Sequence, residues 1–82
     1  MIRVLFFAQL KEVLDCSELV YDLPEPLTVE QLIEKLSNRG DIWKHHLKNG
    51  RLMMAINQEL VSKDAVIRDE DEVALFPPVT GG

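Results

Sequence analysis

The stretch that most restricts this chain runs over residues 28–36. Thr28 with Gln31 three places on is a capping box, and Val29, Leu32, Ile33 and Leu36 recur at helical spacing as one apolar stripe that ends at Gly40. A single striped helix needs a single sheet face to cover it. The flanking segments supply the strands. Residues 2–8 are β-branched and aromatic, and residues 18–23 alternate Leu19, Tyr21 and Leu23 with Glu18, Val20 and Asp22 until Pro24 and Pro26 stop them. Between these, Leu10, Val13 and Leu14 predict a short helix over 8–14. Asp41 can cap a further short helix through Ile42, Trp43 and Leu47. Asn49-Gly50 then makes a tight turn into a strand over 52–57. Leu60-Val61 and Val66-Ile67 read as short edge pieces, and residues 68–71 as a polar turn before a last strand over 72–77. This order predicts an α+β, ubiquitin-like β-grasp: a mixed sheet of about five strands over one main helix plus short helices, with the first and last strands adjacent and parallel.

Composition limits the function classes. At 82 residues, 46% apolar and 28% charged, the chain suits one domain that buries about 60% of its unfolded surface. We expect a body over 1–77 and an extended tail over 78–82. A net charge of -5 with nine scattered basic residues argues against nucleic acid as a partner, because phosphate neutralisation needs clustered Lys and Arg. No apolar run reaches membrane-spanning length, and residues 2–10 lack the basic flank of a signal peptide. With Cys16 alone, no internal disulfide is possible, so the expected compartment is the reducing cytoplasm.

Alternation leaves apolar side chains over. With Ile2, Val4, Phe6, Leu52, Met54, Ile56, Val73 and Leu75 assigned to the helix-covered face, Leu5, Phe7, Met53, Ala55, Ala74 and Phe76 fall on the other. Such a patch on a small domain marks a protein interface, with Phe7 and Phe76 as the expected anchors.

The chain closes on Phe76-Pro77-Pro78-Val79-Thr80-Gly81-Gly82. A terminal carboxylate is ionised at neutral pH and is a poor acyl electrophile, so chemistry at Gly82 requires activation by another enzyme, for instance as an acyl-adenylate. Gly81 and Gly82 carry no Cβ to obstruct a narrow active site. Residues 78–82 reach roughly 17 Å when extended, and Pro77 and Pro78 keep the root of the tail out of the sheet's hydrogen bonding. Pro78, Val79, Thr80 and Gly81 are therefore the candidate insertion segment.

These residues carry a family resemblance. Leu5-Phe6-Phe7-Ala8, Ala55-Ile56-Asn57-Gln58, Asp71-Glu72-Val73-Ala74 and above all the ending from Phe76 to Gly82 resemble the small subunit of molybdopterin synthase, the MoaD family, over the whole chain. The resemblance implies a sulfur carrier for molybdenum cofactor biosynthesis. An adenylyltransferase related to ubiquitin-activating enzymes would use ATP to adenylate Gly82, and sulfur transfer would convert it to a thiocarboxylate. The large synthase subunit would take the tail into its active site, where the sulfur builds the dithiolene on a cyclic pyranopterin monophosphate. The implied assembly is a heterotetramer. No cofactor is expected on the chain itself, the thiocarboxylate being the carrier form.

Other residues offer less. The anionic neighbours Asp15 and Glu18 disfavour a reactive thiolate at Cys16. His45 and His46, adjacent on a helix, diverge by about 100° and have no further ligand at metal spacing, so no metal site is expected. One cysteine cannot hold a ferredoxin-type cluster. Two competing functions use the same fold: a ubiquitin-like modifier joined to lysines through Gly82, or a carrier for another pathway such as thiamine. A plain interaction module without tail chemistry is the third.

Overall fold

The computed structural model describes residues 1–48 and 52–78. Its elements run β1 (Ile2–Phe6), α1 (Ala8–Leu14), β2 (Glu18–Tyr21), β3 (Leu27–Thr28), α2 (Val29–Ser37), α3 (Asp41–Lys48), β4 (Met53–Ile56), β5 (Glu59–Val61), β6 (Val66–Ile67) and β7 (Glu72–Phe76). Five strands form one sheet in the order β2-β1-β7-β4-β5. Its central pair, β1 and β7, is parallel, and the remaining pairs are antiparallel. This is the β-grasp, with the main helix covering one sheet face.

The core follows the alternation. Ile2, Val4, Phe6, Val73 and Leu75 on the sheet meet Val29, Leu32 and Leu36 of α2, all at 1% exposure or less. Leu10 and Leu14 of α1 and Leu47 of α3 close the ends of this cluster. Leu52, Met54 and Ile56 also face it but stay partly exposed, because β4 lies toward the sheet edge, flanked there only by the three-residue β5. The Phe6 ring meets Trp43 of α3 edge to face, with centroids 5.5 Å apart.

The start of α2 is fully specified. Gln31 N–H donates to Thr28 Oγ1 at 3.2 Å, while Thr28 N–H donates to Gln31 Oε1 at 2.9 Å, the reciprocal pair the sequence predicts. The next donors, the amides of Val29 and Glu30, reach the carbonyls of Ala65 and Lys63, each at 2.9 Å. Helix N-termini leave such amides without intrahelical partners, so a distant loop completes this cap.

Several boundaries differ from the expectations. Helix α2 stops at Ser37, short of Gly40, where the Asn38 and Arg39 amides tighten onto the Lys35 and Leu36 carbonyls. Asp41 lies inside α3 rather than capping it: the Gly40 carbonyl takes the first intrahelical bond, from Lys44 N–H at 3.0 Å. Asp41 instead places its charge in the first turn, where the helix dipole favours it. The strands β3 and β6 form a separate two-stranded ladder, Leu27 opposite Ile67 and Thr28 opposite Val66. Residues 27–28 carry no strand signal of their own, because that pairing is made by partners far along the chain. The expected Asn49-Gly50 turn lies outside the described residues.

Candidate functional site: the outer sheet face and the root of the tail

The face of the sheet away from α2 is assembled by strand register. Leu5 lies beside Ala74, Ala74 beside Ala55, and Ala55 beside Leu60, so one apolar row crosses β1, β7, β4 and β5. In the next row toward the end of β7, Phe76 lies beside Met53. Phe7 follows β1 at the same level, its amide donating to the Leu75 carbonyl at 3.3 Å. Ala8, at φ 57°, then turns the chain into α1. A left-handed alanine costs about 1–2 kcal/mol. That strained bend separates the outward Phe7 from the first turn of the helix.

Exposure sorts these residues. Phe7 is 47% exposed and Met53 36%, while Leu5, Ala74 and Phe76 are half-buried. Ala55 departs from the expectation: it shares the outer face but is only 6% exposed. Its methyl group is the shortest side chain a residue can present, and it sits in register between Ala74 and the longer Leu60. Ala55 therefore forms the floor of the patch and offers little contact area. The residue that sequence reasoning missed is Leu60, 66% exposed at the edge of the same row. The signal was present. Asn57 and Gln58, at φ 50° and 71°, form a two-residue hairpin turn that fixes Leu60 opposite Ala55. Asn57 also binds back to the central strands, its side chain donating to Asp71 Oδ1 and accepting the Glu72 amide, each at 3.0 Å.

The opposite end of this face is ionic. Arg3, in register between Val20 and Glu72, donates through Nε to Glu18 at 2.8 Å and through Nη1 to Glu72 at 3.2 Å. The hydrogen bond to Glu18 and the charge of that carboxylate raise the Arg3 pKa. Exposed pairs of this kind add little stability; here they bound the apolar field. Val20, exposed beside Arg3, is the apolar exception at this end; the aromatic residues of the face stand at the end where the chain leaves β7.

At that end Pro77 and Pro78 are half-buried. They line a groove of about 170 Å³ together with Gln9, Leu10, Val13, His46 and Leu52. Val79, Thr80, Gly81 and Gly82 lie outside the described residues. His45 and His46 meet edge to face at 4.9 Å, and His46 is the one that reaches the groove. Cys16 is half-buried, its thiol directed at the Glu18 carbonyl at 3.5 Å. A larger groove of about 450 Å³ between α2, α3 and β4 is bordered by Lys48–Glu34 and Lys63–Glu30 pairs at 2.8 and 3.6 Å. The bond from Lys48 and its charge lower the Glu34 pKa. Among the described residues, no helix is long and apolar enough to cross a membrane.

A family model described as the ThiS family matches residues 4–82. The molybdopterin synthase sulfur carrier subunit of Escherichia coli (strain K12) is 49% identical over 84 aligned positions that cover 100% of both chains. The chain belongs to the ThiS family, among the molybdopterin synthase sulfur carrier subunits. Solved structures repeat the fold of this sulfur carrier. SAMP1 from Haloferax volcanii superposes with a TM-score of 0.80 at 25% identity, covering 99% of this chain and 98% of that one. A complex of subunits 1 and 2 of the molybdopterin-converting factor from Helicobacter pylori 26695 contains a chain that superposes at 0.67 with 24% identity, covering 99% and 97%.

Proposed function

We propose that this sulfur carrier works through its terminal arm. The carboxylate of Gly82 attacks the α-phosphate of ATP on an adenylyltransferase, releasing pyrophosphate. A donor of sulfide-level sulfur then displaces AMP to leave a thiocarboxylate. With the arm inside the large synthase subunit, that sulfur is transferred to the cyclic pyranopterin monophosphate and water restores the Gly82 carboxylate; two carriers each supply one sulfur to complete the dithiolene. Gly81, Thr80, Val79 and Pro78 are the insertion segment. We place these steps in the cytoplasm and the working complex in a heterotetramer.

The observation that carries this reading is that the apolar outer face and the exit of the chain through Pro77-Pro78 share one end of the sheet. A partner seated on Phe7, Phe76, Leu5, Met53 and Leu60 would receive the following residues directly, which keeps the cost of ordering them low. The Helicobacter pylori chain of the same fold is captured with its subunit 2, which supports such a seat here. Intact mass measurement of the chain from its native cells tests the chemistry. We expect a species heavier by the difference between one sulfur and one oxygen. A ladder of branched lysine conjugates with no such species would instead establish the modifier reading, which the SAMP1 fold neighbour keeps in play at 25% identity against 49% for the carrier.

The seat has its own test. Phe7→Asp or Phe76→Asp places a charge at the centre of the proposed contact, and loss of an aromatic anchor there costs about 2 kcal/mol or more, roughly 30-fold in Kd. Titration calorimetry against the large subunit should show that loss, with thermal unfolding little changed for Phe7→Asp. Unaltered affinity in both variants removes these residues from the interface.

A further inference from the structure

The root of the arm lies against the body, although among the described residues no sheet hydrogen bond continues there. β7 ends at Phe76, and Pro77 and Pro78 have no amide hydrogen with which to extend it. Both are nevertheless half-buried, and they line one side of a groove whose other walls are Gln9, Leu10 and Val13 of α1, His46 of α3 and Leu52. The walls are themselves fixed. Leu10, Leu14 and Leu47, each at most 6% exposed, seat α1 and α3 in the core, and the Lys11 amide returns to the Phe7 carbonyl at 3.4 Å. These walls and the two prolines bound one groove, so the groove relates the start of the arm to α1 and α3.

We propose that Val13 and His46 are positioning residues for the arm: they form the wall of the groove that faces Pro77 and Pro78 and limit the directions in which the chain can leave the body. Both side chains are half-buried, so they face the groove they share with the prolines without belonging to the fully buried core. The leverage is geometric. The four residues beyond Pro78 span at most about 14 Å when extended, so a tilt of about 10° at the root moves the end by about 2 Å. Misplacement of reacting groups by about 1 Å can cost about a hundredfold in rate. This inference rests on the proposed function, since it concerns delivery of Gly82 to a partner's active site.

The test uses the full chain carrying the terminal thiocarboxylate, saturating large subunit and the pterin precursor, with sulfur transfer followed in a single turnover. His46→Ala and Val13→Ala should each slow transfer about tenfold within the complex, with Kd for the large subunit within about twofold and cooperative unfolding retained. His46→Phe, which rebuilds a flat ring on that wall, should restore the rate. Wild-type rates in both alanine variants overturn the inference, as does a slowing that reflects weaker binding alone or persists unchanged in His46→Phe. A wild-type chain that transfers no sulfur overturns the proposed function, and this inference with it.

Discussion

Removing Gly81 and Gly82 should abolish thiocarboxylate formation and molybdoenzyme activity in cells while leaving the folded body unchanged. The truncated carboxylate would sit on Thr80, about 7 Å short of its former reach, and would carry a β-branched side chain where a narrow active site expects none. Both defects act on the adenylation step, so a large excess of activating enzyme would not restore the product. The buried cluster runs from Ile2 to Leu75, which is why the loss should leave urea and thermal unfolding as in the full chain. Molybdoenzyme activity in cells that express the truncated chain alone is the measurement. Full activity there would reduce the protein to an interaction module.

Phe6→Ala should do the reverse, removing function by removing the fold. Phe6 is 1% exposed on β1, beside the other central strand, and its ring meets Trp43 edge to face. Phenylalanine-to-alanine changes in cores cost about 3–5 kcal/mol, and a domain of 82 residues has about 4–12 kcal/mol in total at typical values per residue. The urea midpoint should fall by about 2 M or more, and a fraction of the chain should be unfolded in buffer alone. A midpoint near wild type would mean that the Phe6 site collapses around the smaller residue. The comparison with Phe7→Asp one position along is informative. Adjacent phenylalanines on opposite faces of one strand should lose different things, the first stability and the second partner binding.

That contrast was legible from alternation alone, as was most of the architecture. The stripe over 29–36 and its capping box specified α2 because both depend on residues three or four apart, which see each other through local geometry. The parallel pairing of β1 and β7 followed from the fold class that the order of elements predicts, with which the apolar character of both strands agrees. The end of α2, the first turn of α3 and the β3–β6 ladder were read less well. Each is settled by a hydrogen bond or a pairing that the local pattern does not specify, such as Gly40 to Lys44 or Leu27 to Ile67.

The candidate site divides in the same way. The Gly81-Gly82 ending, its proline root, and the outward placement of Phe7, Met53 and Phe76 are properties of sequence order and a period of two, so they needed no coordinates. Tertiary structure alone buried Ala55 and set Val13 and His46 on one groove with Pro77 and Pro78. Alternation states which face a side chain takes. How much of it remains exposed, and which distant residues stand beside it, depends on strand register and helix docking, which join residues far apart in the chain.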